Sequence, residues 1–182
     1  MKPRTSDTHP LQIAALDAPG GGRIGMTFCP GKRDPLAMTG PWARGLDTDL
    51  AAIRAWGASV LVTLMESHEL EHLEVGRLGE AARATGLDWY HLPIRDVSVP
   101  SDAFETQWRT SGEELRERLL GGQSLVVHCR GGLGRTGLIA ARLLIELGEE
   151  PRKALQRVRA ARPGAVETRE QELYVLERIL QS

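Results

Sequence analysis

The sequence predicts one α/β domain with a mostly parallel central sheet flanked by helices. Three observations carry this expectation. Short apolar runs bounded by turn residues read as buried strands, the stretches between them have helical spacing, and the two kinds alternate along the chain. The length of 182 residues, 41% of them hydrophobic, suits one ordinary domain with a real core.

The elements follow in order. Residues 1–22 are polar, close on Pro19-Gly20-Gly21-Gly22 and read as a loosely ordered lead-in, leaving 23–182 as the folded domain. Arg23 to Phe28 reads as a short strand before the turn Cys29-Pro30-Gly31-Lys32. Asp47 to Trp56 has helical spacing, with Asp47 and Thr48 as capping types and Gly57 as the stop. Ser59 to Leu64 is a buried strand by its nearly unbroken apolar character. Leu70, Leu73, Leu78, Ala81 and Ala82 trace one face of a second helix closed by Gly86, and Trp89 to Pro93 is a short strand before the loop Ile94 to Pro100. Phe104, Trp108, Leu115 and Leu119 mark a third helix, and Ser124 to His128 is another buried strand. A glycine-rich turn then leads into a helix over Thr136 to Leu147. Pro151 opens the next helix at a position that tolerates proline, and a last one runs from about Thr168 to the end.

Composition narrows the function classes. The 23 basic and 24 acidic residues balance, so net charge drives neither nucleic-acid nor membrane binding. The N-terminus has no signal-peptide run, and no stretch approaches the roughly 18 apolar residues of a membrane span, so the expected location is cytoplasmic. Cys29 and Cys129 lie far apart without metal or redox spacing. Cys29 is expected to pack, with a redox partnership to Cys129 left open.

The decisive stretch is His128-Cys129-Arg130-Gly131-Gly132-Leu133-Gly134-Arg135-Thr136-Gly137, placed between a strand and a helix start. A helix N-terminus presents unpaired N–H groups and partial positive charge, which makes it an anion site. Three glycines between Cys129 and Arg135 let the backbone curl so that its amides point inward, and Arg135 can fork two donors onto two phosphate oxygens. The same surroundings favour a thiolate over a thiol. Sulfur anion and phosphate therefore prefer one cradle, the arrangement that lets sulfur attack phosphorus. An inert buried cysteine beside ordinary turn glycines is the bland alternative.

His-Cys, five residues, then Arg-Thr resembles the signature of protein tyrosine and dual-specificity phosphatases. The loop sits two-thirds along the chain with a candidate acid upstream, which is the order of the dual-specificity group. Within it the chain is similar to the kinase-associated (cyclin-dependent kinase inhibitor 3-like) phosphatases, through Cys29-Pro30-Gly31 with Arg33-Asp34, His91 to Asp96, His128 to Arg135 and Thr168 to Leu176. The resemblance implies a phosphatase-like fold and a catalytic domain over 23–182. It also implies a phosphocysteine at Cys129 and a phosphate held by Arg130, Gly131, Gly132, Leu133, Gly134 and Arg135, without metal or other cofactor.

Asp96 is the expected general acid, on a loop after the strand Trp89 to Pro93, because a departing ester oxygen needs a proton. Asp102 is its rival, although Asp102 with Glu105 also fits a capping box. The resemblance implies that Thr136 donates to the cysteine sulfur, that His128 orients the loop and that Gln171 positions water. Thr136 could equally cap a helix, His128 could be a core histidine, and Thr168-x-x-Gln171 is itself a capping-box pattern. Arg130 is expected on the solvated rim, favouring acidic or multiply phosphorylated substrates. His68 and His72 have helical spacing but read as a solvated face rather than a zinc site.

The expected substrate is a phosphorylated protein or peptide carrying phosphotyrosine and/or phosphoserine/threonine, with phosphate, sulfate or vanadate able to occupy the loop. A phosphoinositide, inositol phosphate or RNA 5′-phosphate is the alternative substrate, and a non-catalytic phosphate-binding module the alternative function.

Overall fold

The computed structural model describes residues 1–181. The chain runs β1 (Ala14–Asp17), β2 (Arg23–Thr27), β3 (Arg33–Asp34), β4 (Trp42–Ala43), α1 (Leu46–Trp56), β5 (Ala58–Thr63) and α2 (Ser67–His72). It continues through α3 (Leu78–Ala84), β6 (Asp88–His91), α4 (Asp102–Leu120), β7 (Ser124–His128), α5 (Gly134–Glu146), α6 (Pro151–Ala161) and α7 (Arg169–Leu173). A π-helical turn over Tyr174–Arg178 and a 3-10 turn over Ile179–Gln181 follow, where the sequence pattern suggested one plain helix.

The main sheet has the order β1-β2-β7-β5-β6. The β2–β7, β7–β5 and β5–β6 pairs are parallel and only the edge pair β1–β2 is antiparallel, as the alternation of strands and helices predicts. β7 is the middle strand, apolar on both faces through Leu125, Val126 and Val127, and His128 is its last residue. The α5 helix is buried from Gly134 to Ile145, so it behaves as a core helix. It packs on β2 and β7 and is covered by α6, while α1 and α3 pack together against β5 and β6. The loop that joins β7 to α5 therefore leaves the centre of the sheet at the carboxyl ends of its strands, where open α/β sheets bind ligands.

Three expectations need correction. Residues 1–22 are not loose: β1 lies within them, Arg4 exchanges backbone hydrogen bonds with Pro41 and Ala43, and Ser6 is buried. The reason is the buried pair Arg44–Asp49 (2.8 Å), which needs cover; Ser6 Oγ donates to Asp49 and Arg44 Nη1 donates to the His9 carbonyl, both at 2.8 Å. The α1 helix begins one residue earlier than expected and is preceded by Gly45, so Asp47 and Thr48 lie inside its first turn. The apolar stripe from Leu70 to Ala82 is split into α2 and α3, because the chain turns at Glu74 with φ of 60°.

Candidate active site

β7 delivers His128 and Cys129 to the sheet edge, both buried. The His128 carbonyl accepts from Leu64 N–H at 3.1 Å, and the Arg130 carbonyl accepts from Cys29 N–H at 3.2 Å, so the continuations of both neighbouring strands grip the loop. Gly132 has φ of 70° and a Cβ there would stand 2.4 Å from the Thr27 backbone. Only glycine allows that approach.

The His128 ring closes a directional chain. A carbonyl can only accept, so the 3.2 Å contact with the Cys129 oxygen places the ring proton on Nδ1. Nε2 then accepts from Thr63 Oγ1 at 2.7 Å, and that hydroxyl accepts from Trp89 Nε1 at 2.8 Å. Burial pushes the imidazole pKa down to about 4, so it is neutral at physiological pH. The ring ties the Cys129 carbonyl to Thr63 and, being neutral, offers no positive charge to the thiol.

Arg135 is 1% exposed at its side chain. Its Nη1 and Nη2 donate to the two Glu69 oxygens at 2.8 and 2.9 Å, and Nη1 also reaches the Ile94 carbonyl at 3.0 Å. Burial pushes the Glu69 pKa up, yet the Arg135 guanidinium and the Glu66 N–H outweigh it and hold the carboxyl below the usual range. Sequence reasoning missed Glu69, whose carboxylate also closes the capping box of α2 through the Glu66 N–H at 2.8 Å. The Glu66-x-x-Glu69 spacing is a faint signal for the cap and none for the arginine.

Asp96 Oδ1 stands 3.0 Å from Arg135 Nη2 with its side chain 56% exposed, and the next residue, Val97, has φ of 53°. A β-branched residue in that region stores about 1–3 kcal/mol of strain. Gln171 ties this loop down: Nε2 donates to the Ser98 carbonyl at 3.0 Å, while Oε1 accepts from Glu167 and Thr168 N–H. The capping-box reading of Thr168 and Gln171 is thus realised. Asp102 instead is exposed, the first residue of α4, which is capped by Ser101 accepting from Phe104 N–H. Glu105 closes no box there, because Arg142 and Tyr174 take its carboxylate. Thr136 Oγ1 is buried without a hydrogen-bond partner among the described residues, so the expected bond to the Cys129 sulfur is not formed.

Arg130 is not merely solvated. It pairs with Asp34 at 2.8 Å and, with His68, His72, Arg95, Asp96, Glu66 and Glu69, lines a cavity of about 500 Å³. Among the described residues no group of three or more His, Cys, Asp or Glu is placed to hold a metal ion. Cys29 is a free, fully buried thiol whose pKa burial pushes up. Among the described residues the N–H groups of Gly131, Gly132 and Leu133 donate to no protein acceptor, whereas Gly134 N–H donates to Glu167 Oε1 at 2.8 Å.

Residues 37–149, more than half of the chain, match the model of a family described as a polymorphic toxin system DSP-PTPase phosphatase. The chain belongs to the cysteine-based dual-specificity phosphatases. Within that family it is similar to cyclin-dependent kinase inhibitor 3 of rat and human, at 30% identity over 137 residues, which is 74% of this chain and 63% of each relative. It thus spans less than two-thirds of the length of those relatives. The solved structure of kinase associated phosphatase, with serine replacing its catalytic-site cysteine, superposes with a TM-score of 0.79 at 26% identity, covering 91% of this chain and 92% of that one. The active form of Tk-PTP gives a TM-score of 0.67 at 28% identity, covering 92% and 97%. The phosphatase family membership accounts for the α/β fold and for the position of the cysteine loop at the end of its central strand.

Proposed function

We propose that this chain hydrolyses phosphotyrosine and/or phosphoserine/threonine monoesters of proteins or peptides through a phosphocysteine at Cys129. One observation carries the reading: Arg135, six residues after the cysteine and inside the first turn of α5, is buried and locked in place by Glu69 beside three unclaimed loop amides. A buried guanidinium with donors prepared for an oxyanion serves little purpose in a purely structural loop.

In the first step Cys129 Sγ, as thiolate, attacks phosphorus and the bond from phosphorus to the ester oxygen breaks. Asp96 leaves Arg135 Nη2 to the incoming phosphoryl oxygens, takes up a proton from solvent once parted from the guanidinium, and gives that proton to the departing oxygen. The amides of Gly131, Gly132, Leu133 and Gly134 and the Arg135 fork hold the equatorial charge. In the second step water attacks phosphorus, the Asp96 carboxylate takes the water proton, and the S–P bond breaks to return thiolate and inorganic phosphate. Thr136 Oγ1, unpartnered and buried, donates to the sulfur as it leaves. Gln171, held against the acid loop and beside Gly134, orients the water. A reducing, cytoplasmic setting would keep the Cys129 thiol available for this chemistry. No helix among the described residues is long and apolar enough to cross a membrane.

The test is aryl phosphate hydrolysis by the purified protein and two variants. Cys129→Ser should abolish turnover while still binding phosphate, and Asp96→Ala should slow alkyl esters far more than esters with good leaving groups. Undiminished turnover by Cys129→Ser would end the proposal.

A further inference from the structure

The segment between α6 and α7 touches the cysteine loop at four atoms, three carbonyls that the reaction scheme does not use and one amide that it does. Arg162 Nη2 and Nε donate to the carbonyls of Gly131 and Gly132, both at 3.0 Å. Val166 N–H donates to the Leu133 carbonyl at 3.2 Å, and Glu167 Oε1 accepts from Gly134 N–H at 2.8 Å. Arg162 has no carboxylate partner among the described residues, so its side chain is committed to the loop. Neighbouring contacts brace the segment. Arg159 donates to the Ala165 and Val166 carbonyls at 3.0 and 2.9 Å and pairs with Glu172 at 2.9 Å. Val166 is held at φ of 58°, a strained conformation for a β-branched residue.

Peptide geometry turns these contacts into consequences. In a planar trans peptide the C=O and the following N–H point in opposite directions. Pulling the Gly131 and Gly132 carbonyls toward Arg162 therefore turns the N–H groups of Gly132 and Leu133 the other way, where neither finds a protein acceptor among the described residues. Glu167 acts with the opposite sign. It places a carboxylate on the N–H of the first residue of α5, an amide that a bound oxyanion would use, and like charge there opposes a dianion. Because Glu167 is exposed, its side chain has room to yield.

We propose that Arg162 and Glu167 are positioning residues of opposite effect: Arg162 aims two loop amides at the phosphoryl group, and Glu167 occupies a third until substrate displaces it. This rests on the phosphatase reading above. Asp96 on Arg135 and Glu167 on Gly134 thus occupy two donors of the cradle at once with the protein's own carboxylates.

The experiment measures kcat and KM for an aryl phosphate and the inhibition constant of vanadate for wild type, Arg162→Met, Arg162→Lys and Glu167→Gln, with thermal unfolding of each. Losing one aimed oxyanion donor costs about 10²–10³ in kcat. Arg162→Met should therefore raise the vanadate constant at least about tenfold and lower kcat by more. Arg162→Lys, with one donor head instead of a fork, should recover part of both. Glu167→Gln should move the other way, lowering the vanadate constant and KM a fewfold while kcat changes less. A residue that only holds the fold would move the unfolding temperature without separating these constants. Vanadate constants unmoved in Arg162→Lys and Glu167→Gln, or shifted in the same direction, would overturn the proposal even if Arg162→Met failed to fold. An inactive wild type would sink the phosphatase reading; an active one with unmoved constants would sink only this inference.

Discussion

Replacing Glu69 by glutamine tests the buried partner of Arg135 at nearly constant shape. Wild type holds the guanidinium with two carboxylate bonds at 2.8 and 2.9 Å, and the two side chains are 1% and 8% exposed. Breaking a buried pair costs about 3–5 kcal/mol, because the remaining charge stays desolvated. Glutamine keeps one acceptor and Asp96 stays nearby, so Glu69→Gln should cost about 3 kcal/mol at pH 7. For a chain of this size that lowers the unfolding temperature by roughly 6–12 °C. The pH dependence is the sharper part. The folded-state pKa of Glu69 lies below its ordinary value of 4.5. Its contribution is therefore full above that value and is lost as pH falls through the lower folded-state value. Thermal unfolding from pH 7 to pH 3 should show a wide gap between wild type and Glu69→Gln that narrows in acid, since all other titrating groups are shared. A gap as wide at pH 3 as at pH 7, or no gap at pH 7, would refute this reasoning. Turnover should fall by at least about tenfold, through loss of a preorganised oxyanion clamp.

Three other perturbations have definite signs. Gly132→Ala should destroy activity, with vanadate affinity lost in parallel, because its Cβ would meet the Thr27 backbone at 2.4 Å. His128, with its pKa pushed down to about 4, must stay neutral in the folded state, so stability is full above pH 6.5 and declines from there toward pH 4. The decline reaches about 3 kcal/mol, and denaturant titrations of wild type and His128→Gln should show it only in wild type. Glu105→Gln removes the bidentate partner of buried Arg142, at 2.8 Å on both arms and about two helical turns along α5 from Arg135. It should lower stability by about 2–3 kcal/mol with the vanadate constant unchanged.

What could be read from the sequence was local. The strand, cysteine loop and helix lie within about twenty consecutive residues, and each signal there reinforces the next: β-branched residues, glycines where the backbone must curl, then an apolar helix. Asp96 became a candidate through its loop position and the family resemblance, whereas its ion pair with Arg135 left no signal in the sequence. Glu69 escaped because its partner is 66 residues away, and it sits among His68, Glu71 and His72, which together look like a solvated face. Asp34 escaped for the same reason; nothing in its neighbourhood points to Arg130, 96 residues downstream. The edge strand β1 was lost in a polar lead-in because it has only four ladder residues, and the cover that Ser6 and His9 give the Arg44–Asp49 pair is tertiary. Arg162 and Glu167 lie in a Pro-Gly turn that reads as punctuation until the loop is folded against it.

Acid quench of the enzyme during turnover of an aryl phosphate, followed by peptide mass spectrometry, addresses the sulfur directly. A single phosphoryl group should appear on the peptide carrying Cys129, accumulate further in Gln171→Ala, and be absent from Cys129→Ser. Turnover with no adduct on that peptide, or an adduct carried by Cys29, would contradict attack by the thiolate at the end of β7.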